Sequence, residues 1–186
     1  MATKVLALAG SLRKDSYNKR LVKNAAQIAA KAGTTVTEID LADYPLPVFD
    51  EDLEAASGMP GNAKKLKAIF AEHNALIISS PEYNGGITAV LKNTIDWLSR
   101  PDDSGLKPFQ DKWVALLAAS PGALGGIRAL PNVRFILSGL GCIVIPDQLA
   151  LGKANTAFAE DGSLANEQHS QRLSTIVNRL IHFAGD

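Results

Sequence analysis

The chain has 186 residues, of which 46% are hydrophobic and 20% are charged, so we expect one globular domain, residues 1–186, with a substantial core. Nineteen basic residues balance nineteen acidic ones, which argues against nucleic acid or an anionic membrane surface as a partner. No apolar stretch approaches the roughly 20 residues of a membrane span, and no signal-peptide pattern follows Met1. A single cysteine, Cys142, excludes an internal disulfide and a cysteine-cluster metal site. The cytoplasm is therefore the expected compartment.

Short runs rich in aliphatic residues alternate along the chain with apolar residues at helical spacing. The spacing of Leu21, Ala25 and Ile28 indicates a first helix, which Gly33 ends. The first, third and fourth predicted strands are nearly continuous apolar runs, as expected when helices cover both faces of a parallel sheet. Strands are predicted at residues 4–9, 35–40, 75–80, 113–119 and 142–146, and further helices around residues 66–70, 87–98, 133–140 and 173–181.

This alternation predicts an α/β fold in which a five-stranded parallel sheet lies between two layers of helices. Two strand orders are common for such sheets. The dinucleotide-binding order usually carries G-x-G-x-x-G after the first strand and has six strands, whereas this chain has only Gly10 there and five strands. We therefore predict the flavodoxin-like order 2-1-3-4-5, with a ligand at the carboxyl ends of the first and third strands.

Residues 10–18 join the first strand to the first helix and form a candidate phosphate site. The free N–H groups and the positive dipole at the start of a helix favour an anion. Ser11 and Ser16 offer hydroxyls, Asn18 offers an amide, and Arg13 offers a bidentate cation suited to phosphate. A role for Ser16 as a helix cap is the structural alternative. The Walker pattern G-x-x-x-x-G-K-[ST] is absent, which argues against a nucleotide triphosphatase.

Two further loops follow the third and fourth strands and converge with the first loop in the predicted topology. Residues 81–86 (PEYNGG) combine glycines, which let the backbone approach a ligand closely, with the aromatic face of Tyr83. Residues 120–126 (SPGALGG) offer backbone N–H groups before another helix. Ordinary turns are the alternative for both loops.

Outside these loops the sequence predicts structural roles. Asp96 and Arg100, four residues apart on a helix, predict an exposed ion pair. Trp97 and Cys142 are expected to pack in the interior. Residues 44–61 and 102–111 lack periodicity and are expected to be irregular surface connections. The three histidines are scattered without metal-ligand spacing, so no metal is expected.

Residues 10–18 together with residues 81–100 (PEYNGGITAVLKNTIDWLSR) resemble the NADPH-dependent FMN reductase family. That family includes bacterial quinone, chromate and azo-dye reductases of flavodoxin-like fold, and the resemblance spans roughly residues 3–182. It implies FMN as cofactor and NADPH or NADH as electron donor. Flavin N5 then carries the chemistry, so no catalytic side chain is assigned.

By position, the resemblance implies three groups of FMN-binding residues. The first group wraps the phosphate, the second runs along the isoalloxazine ring largely through backbone groups, and the third closes the pocket near the ribityl chain and the ring edge. Many relatives carry a bulkier or polar residue where this chain has Gly85-Gly86, which implies a roomier or more mobile pocket over the ring. The groups are Ser11, Arg13, Ser16, Tyr17 and Asn18; Pro81, Glu82, Tyr83, Asn84 and Gly85; and Ser120, Gly122 and Gly125.

The expected function is an NAD(P)H oxidoreductase that passes electrons through FMN to quinones or similar small acceptors by a ping-pong mechanism. Chromate, ferric complexes and azo compounds are further candidate acceptors. Two alternatives stay open: an electron carrier like flavodoxin without NAD(P)H turnover, and a flavin reductase that releases reduced FMN. The resemblance also implies a homodimer or homotetramer, with residues 44–61, 87–100 and 102–111 as candidate contacts.

Overall fold

The computed structural model describes residues 3–185 and contains one parallel sheet. The strands lie in the order β2-β1-β3-β4-β5, and every neighbouring pair is parallel. The predicted flavodoxin-like order 2-1-3-4-5 is therefore confirmed. The strands are β1 (Lys4–Ala9), β2 (Thr35–Asp40), β3 (Ala75–Ser79), β4 (Trp113–Ala119) and β5 (Ile143–Leu151).

Six α-helices within residues 3–185 cover this sheet. They are α1 (Tyr17–Lys31), α2 (Glu51–Ser57), α3 (Gly61–Ala71), α4 (Ala89–Ser99), α5 (Ala129–Gly139) and α6 (Glu167–Gly185). Helices α1 and α6 pack against one face of the sheet, and α3, α4 and α5 pack against the other. None of these helices in the described range has the length and apolar composition that crossing a bilayer requires.

Side-chain alternation along the inner strands accounts for the two helical layers. In β1, Val5 and Ala7 join the core cluster under α1 and α6, whereas Leu6 and Leu8 join the cluster under α3, α4 and α5. All four side chains are buried, and the same alternation recurs in β3 and β4. A strand that is apolar on both faces needs helices on both sides, which explains why continuous apolar runs predict this architecture.

The segment 44–61, which we expect to be irregular, contains helix α2. Asp50 caps this helix by accepting hydrogen bonds from the backbone N–H groups of Asp52 at 2.8 Å and Leu53 at 3.3 Å. Gly58, with a φ of 71°, ends it. None of its residues is buried, so it lacks the apolar stripe from which a sequence predicts a helix.

The predicted ion pair between Asp96 and Arg100 is wrong. Helix α4 ends at Ser99, and Arg100 has an extended backbone with a ψ of 140°, so its side chain leaves the helix surface. Arg100 Nε lies 2.8 Å from Glu54 Oε2 of α2, while Asp96 Oδ1 lies 2.7 Å from Lys92 Nζ. The Arg100–Glu54 pair therefore joins α2 to the end of α4.

The fifth strand is longer than predicted, because it continues past Pro146 to Leu151. Its pairing with β4 shifts between Val114, opposite Val144, and Leu116, opposite Gln148. Pro146 lies in the extra chain at this shift, where a missing ladder N–H is tolerated. A proline in a sequence predicts a strand end, because it cannot donate a ladder hydrogen bond. In β5 no such bond is needed at Pro146, because the pairing of this edge strand is irregular there.

Trp97 and Cys142 are buried as predicted. Trp97 Nε1 donates a hydrogen bond to the Pro47 carbonyl at 2.8 Å, and its ring meets Phe49 edge-on with 5.0 Å between centroids. Burial raises the pKa of the Cys142 thiol to about 12. Both side chains therefore serve packing.

Candidate functional site

The loops after β1, β3 and β4 meet at the carboxyl edge of the sheet, as the predicted topology requires. Together they enclose a cleft of about 110 Å³, which we call the phosphate cleft. This volume is well below the roughly 300–1,000 Å³ of a site that holds a whole ligand, so it suits one end of a larger molecule. The cleft is lined by Ser11, Arg13, Ser16, Tyr17, Asn18, Pro81, Glu82, Tyr83, Ala119, Ser120 and Pro121.

Two buried serines line the phosphate cleft with their hydroxyl groups. Ser11 and Ser16 are each 3% exposed. Ser11 Oγ accepts the backbone N–H of Arg13 at 3.3 Å, and Ser16 Oγ caps α1 by accepting the N–H of Asn18 at 3.2 Å. Within residues 3–185, no group accepts a hydrogen bond from either hydroxyl. Each serine thus has an O–H available to an external acceptor, so capping and ligand binding are compatible at Ser16.

The start of α1 adds further donors and a cation to the cleft. The first intrahelical hydrogen bond runs from the Arg20 N–H to the Ser16 carbonyl at 3.1 Å. The N–H groups of Tyr17 and Lys19 precede this ladder and have no helical acceptor. Arg13 is exposed at the rim, and in the described part of the chain no carboxylate forms an ion pair with its guanidinium. These groups favour an anion in the cleft.

Asn18 lines the cleft and also ties the start of α1 to two strands. Its amide nitrogen donates to the Ala119 carbonyl at 2.9 Å, and its amide oxygen accepts the Ala119 N–H at 2.9 Å and the Ser79 hydroxyl at 2.8 Å. The residue is buried, and its side chain fastens α1 to the ends of β3 and β4. Asn18 therefore shapes the cleft, and the second N–H of its amide nitrogen has no acceptor within residues 3–185.

The loop after β3 forms a tight turn that presents an aromatic ring. Tyr83 and Gly86 exchange backbone hydrogen bonds at 3.1 and 3.0 Å. Between them, Asn84 has a φ of 53° and Gly85 a φ of 80°, the conformation that Asn-Gly sequences favour in a two-residue turn. The Tyr83 side chain stands exposed beside the cleft. In residues 3–185, the N–H groups of Asn84 and Gly85 donate to no other group.

Helix α5 holds this turn in place. Arg128 Nε lies 2.6 Å from Glu82 Oε1, and the Arg128 backbone N–H donates to Glu82 Oε2 at 2.9 Å. The hydrogen bonds from Arg128 hold the pKa of the Glu82 carboxyl below its usual value. Asn132 Nδ2 adds a longer contact, 3.4 Å, to the Gly85 carbonyl. The Glu82 side chain therefore anchors the loop after β3 to Arg128.

The loop after β4 packs against the end of β5. A Cβ on Gly125, which has a φ of 63°, would lie 2.6 Å from the carbonyl carbon of Ala150, and one on Gly152 would lie 2.5 Å from the Ala123 oxygen. Gly125 is therefore required for close packing of two backbones. Ser120 Oγ accepts the Gly122 N–H at 3.2 Å, which shapes the part of the loop nearest the cleft.

The structure brings most of the predicted residues together, with four exceptions at the periphery. Asn84, Gly85, Gly122 and Gly125 do not line the phosphate cleft. Sequence reasoning missed Ala119 and Pro121 as lining residues, although both flank the predicted Ser120. It also missed Arg128 as a partner of Glu82, because 46 residues separate them and no local pattern links the two.

Comparison with known proteins assigns the family. The family model described as NADPH-dependent FMN reductase matches residues 3–156, a range that includes all three loops of the cleft. The chain belongs to the NADPH-dependent FMN reductase family. The predicted family and enzyme class are thereby confirmed, and FMN and NAD(P)H are the cofactor and electron donor of such reductases.

Relatives within the FMN reductase family extend over nearly the whole chain. An NAD(P)H:quinone oxidoreductase of Solanum tuberosum is 37% identical over 181 residues, covering 95% of this chain and 90% of that protein. An NAD(P)H-dependent FMN reductase of Pseudomonas aeruginosa is 33% identical over 186 residues, covering 95% and 96%. The solved structure of a flavoenzyme NAD(P)H:(acceptor) oxidoreductase from Paracoccus denitrificans superposes with a TM-score of 0.84 at 27% identity, covering 99% and 98%.

Proposed function

We propose that this protein is an FMN-containing oxidoreductase that transfers electrons from NADPH or NADH to quinones or similar small acceptors. Two named relatives, a quinone oxidoreductase and an FMN reductase, support the reaction class. One observation in the chain itself carries the proposal: Ser11 and Ser16 are buried, their hydroxyl hydrogens have no acceptor within residues 3–185, and Arg13 lies beside them. Unpartnered donors beside a cation favour the binding of an anion.

The phosphate cleft fits the terminal phosphate of FMN. The hydroxyls of Ser11 and Ser16 and the N–H of Tyr17 donate to its oxygens in our proposal, and Arg13 supplies a charged, bidentate contact. The dipole of α1 adds to the attraction, because its positive end faces the cleft. Asn18 is proposed to add a further contact, because its amide nitrogen carries a second N–H besides the one that donates to the Ala119 carbonyl.

The remaining predicted residues are proposed to hold the isoalloxazine ring and the ribityl chain. Backbone groups of Pro81 to Gly85 run along the ring, with the N–H groups of Asn84 and Gly85 free to donate. The exposed Tyr83 ring borders the flat surface that such a ligand would cover. Ser120, Gly122 and Gly125 are proposed to close the pocket near the ribityl chain and the ring edge.

When bound, FMN would supply the redox chemistry that carries electrons from the nicotinamide to an acceptor. The protein binds and orients the reactants, and we assign no catalytic side chain. Because the turn at Asn84-Gly85 lacks bulky side chains, donor and acceptor are proposed to use the same open surface in turn. That arrangement gives ping-pong kinetics. Quinones are the proposed acceptors, with chromate, ferric complexes and azo compounds as further candidates.

Two other functions would use the same cleft. An electron carrier would bind FMN without oxidising NAD(P)H, but carriers that dock on basic partners usually have a strong acidic field, and this chain has no net charge. A flavin reductase would release reduced FMN as a product. We rank both below the oxidoreductase.

We further propose that residues 1–186 form a single domain that assembles as a homodimer or homotetramer in the cytoplasm. Exposed apolar side chains support an interface at the segments predicted for it. Val48 is 81% exposed, and Leu53 and Leu106 are also exposed. Light scattering tests this assembly by measuring the molar mass in solution, and the mass of a monomer would contradict it.

The proposed function is tested by the visible absorbance of the purified protein before and after anaerobic addition of NADPH. We expect a flavin band that bleaches with NADPH and returns with a quinone. A bound flavin that NADPH does not reduce supports the carrier, and flavin that leaves the protein once reduced supports the flavin reductase. Riboflavin, which lacks the phosphate, is the matched control ligand. Equal affinity for FMN and riboflavin would contradict the proposal that the phosphate cleft binds the phosphate of FMN.

A further inference from the structure

The connection between β5 and α6 contains a small hairpin that lies beside the start of α1. The Ala159 N–H donates to the Ser163 carbonyl at 2.9 Å, and the Ala165 N–H donates to the Ala157 carbonyl at 3.0 Å. We call residues 157–165 the β5–α6 hairpin. These backbone bonds hold the segment in a defined shape, although it belongs to neither β5 nor α6.

The connection that carries the β5–α6 hairpin is bonded to two of the elements that form the phosphate cleft. Just before the hairpin, the Ala154 N–H donates to the Ser120 carbonyl in the loop after β4 at 3.0 Å. Within the hairpin, the Gly162 carbonyl accepts a hydrogen bond from Asn24 Nδ2 of α1 at 2.9 Å. The connection therefore braces the loop after β4 and α1 against each other, and both supply lining residues to the cleft.

Phe158 is the hairpin residue that contacts a wall of the phosphate cleft. Its ring stacks on that of Tyr17, which lines the cleft, with 6.4 Å between centroids and 7° between ring planes. The Arg20 guanidinium lies 4.4 Å from the centre of the same Phe158 ring. Both stacked rings are only partly buried, at the edge of the core under α1 and α6. The stack therefore fixes the side chain of the first residue of α1.

The position of the Tyr17 side chain matters because the phosphate cleft is small. A partly exposed aromatic side chain can change its rotamer on a fast timescale unless neighbours restrict it. The Phe158 ring restricts Tyr17 to the rotamer that the structure shows, in which Tyr17 lines the cleft. In a cleft of about 110 Å³, movement of one wall changes the fit of a group as compact as a phosphate.

We propose that Phe158 is a positioning residue for the phosphate of FMN, because it holds Tyr17 in place as a wall of the phosphate cleft. This inference rests on the proposed function, in which the cleft binds that phosphate. Phe158 does not itself line the cleft, so it acts through Tyr17. It also lies outside residues 3–156, the range that the family model matches, so the family assignment gives this contact no role.

The test compares the binding of FMN with that of riboflavin, which lacks the phosphate, by titration of flavin fluorescence. Phe158→Leu keeps an apolar side chain but removes the aromatic face, and it should weaken FMN binding about threefold to tenfold, the range of one aromatic contact. Riboflavin binding should stay within about twofold of the wild type. Phe158→Tyr keeps the ring and should keep the wild-type preference for FMN. An equal loss for both ligands, or no loss for either, would overturn the inference.

Phe183→Leu is the matched control, because the same kinds of partner surround Phe183 elsewhere in the fold. Its ring stacks on Trp113 with 5.1 Å between centroids and 14° between planes, and the Arg179 guanidinium lies 5.7 Å from its centre. Trp113 begins β4, so this stack lies at the opposite edge of the sheet from the phosphate cleft. Phe183→Leu should lower the melting temperature and leave the preference for FMN over riboflavin unchanged. Loss of the preference in both variants would assign it to general destabilisation and overturn the inference.

A double-mutant cycle tests whether Tyr17 transmits the effect. Tyr17→Leu should also weaken FMN binding, and the double variant with Phe158→Leu should lose no more affinity than the more severe single variant, because both changes remove the same contact. Losses that multiply would show that the two residues act independently, which would overturn the inference.

The proposed function fails by a different result. A wild-type protein that binds no FMN, or that binds FMN and riboflavin equally, contradicts the phosphate cleft itself. The inference about Phe158 fails when the wild type prefers FMN and Phe158→Leu prefers it to the same extent.

Discussion

Arg128, the residue that directly precedes α5, forms a two-point contact with Glu82 in the loop after β3. Arg128 Nε donates to one carboxylate oxygen at 2.6 Å, and the Arg128 backbone N–H donates to the other at 2.9 Å. The Glu82 side chain is only 9% exposed, whereas the Arg128 side chain is 64% exposed. The backbone contact places a carboxylate at the start of a helix, where the dipole also favours it. The turn that carries Tyr83 is thereby fixed relative to the loop after β4.

Replacing Glu82→Gln should loosen this turn, with weaker FMN binding and a lower melting temperature at neutral pH. Because Arg128 lowers the pKa of Glu82 in the folded state, the ionised carboxylate contributes its full stability above the ordinary value of 4.5. That contribution is lost as pH falls through the lowered folded-state pKa. The difference in melting temperature between wild type and variant should therefore shrink below pH 4.5. Calorimetry across the acid range measures it.

Asp96→Asn is the control for this change, because it removes the exposed Lys92–Asp96 ion pair on α4, and neither residue of this pair lines the phosphate cleft. Exposed pairs of this kind contribute about 0.3–0.5 kcal/mol, so little effect on FMN binding is expected. A Glu82→Gln difference that stays constant to the most acid pH at which the fold survives would contradict the ion pair as its cause.

Replacing Arg13→Ala should weaken FMN binding by about 1.5–3 kcal/mol, the scale of a hydrogen bond to a charged group. Quenching of FMN fluorescence during titration measures the dissociation constant. Lys65→Ala removes one exposed positive charge from α3 and serves as the control. Unchanged affinity in Arg13→Ala would exclude Arg13 from the phosphate contacts.

Gly125→Ala and Gly105→Ala separate backbone strain from steric conflict. Their φ angles are nearly equal, 63° and 64°, but a Cβ on Gly125 would lie 2.6 Å from the Ala150 carbonyl carbon, whereas nothing lies within 4 Å of one on Gly105. Gly105→Ala should cost about 1–2 kcal/mol, from the left-handed conformation alone. Gly125→Ala should cost clearly more and displace the loop after β4. Urea unfolding measures both, and equal losses would contradict the steric argument.

Cys142 should be unreactive towards thiol reagents in the native protein at pH 8 and reactive after unfolding in urea. Burial raises its folded-state pKa from 9.0 to about 12, so the reactive thiolate is scarce in the folded state. The neutral thiol also adds stability that is lost as pH rises from about 9 towards 12. Cys142→Ala should remove that part of the alkaline pH dependence. Rapid labelling of the native protein at pH 8 would show that the thiol is accessible.

Much of the fold follows from local patterns. Continuous apolar runs such as that of β1 require helices on both faces, and the single Gly10 after β1 favours the strand order that the structure has. Helix α2 and the second half of β5 could not be predicted from local patterns. The helix has no buried residues, so its sequence shows no apolar periodicity. Pro146 predicts a strand end, and only the irregular pairing with β4 explains why the strand continues.

The sequence by itself determined which loops meet, because parallel strands in a known order bring their carboxyl ends to one edge. It also determined the donor types there, serine hydroxyls and an arginine after a buried strand. Only the tertiary structure decided how each polar group is used. Asn18 and Glu82 line the cleft as the sequence suggests, and their side chains also bond Ala119 and Arg128, which no local pattern reveals. The reason is that a hydrogen-bonding group is committed by whichever partner folding brings within reach, and these partners lie 101 and 46 residues away along the chain.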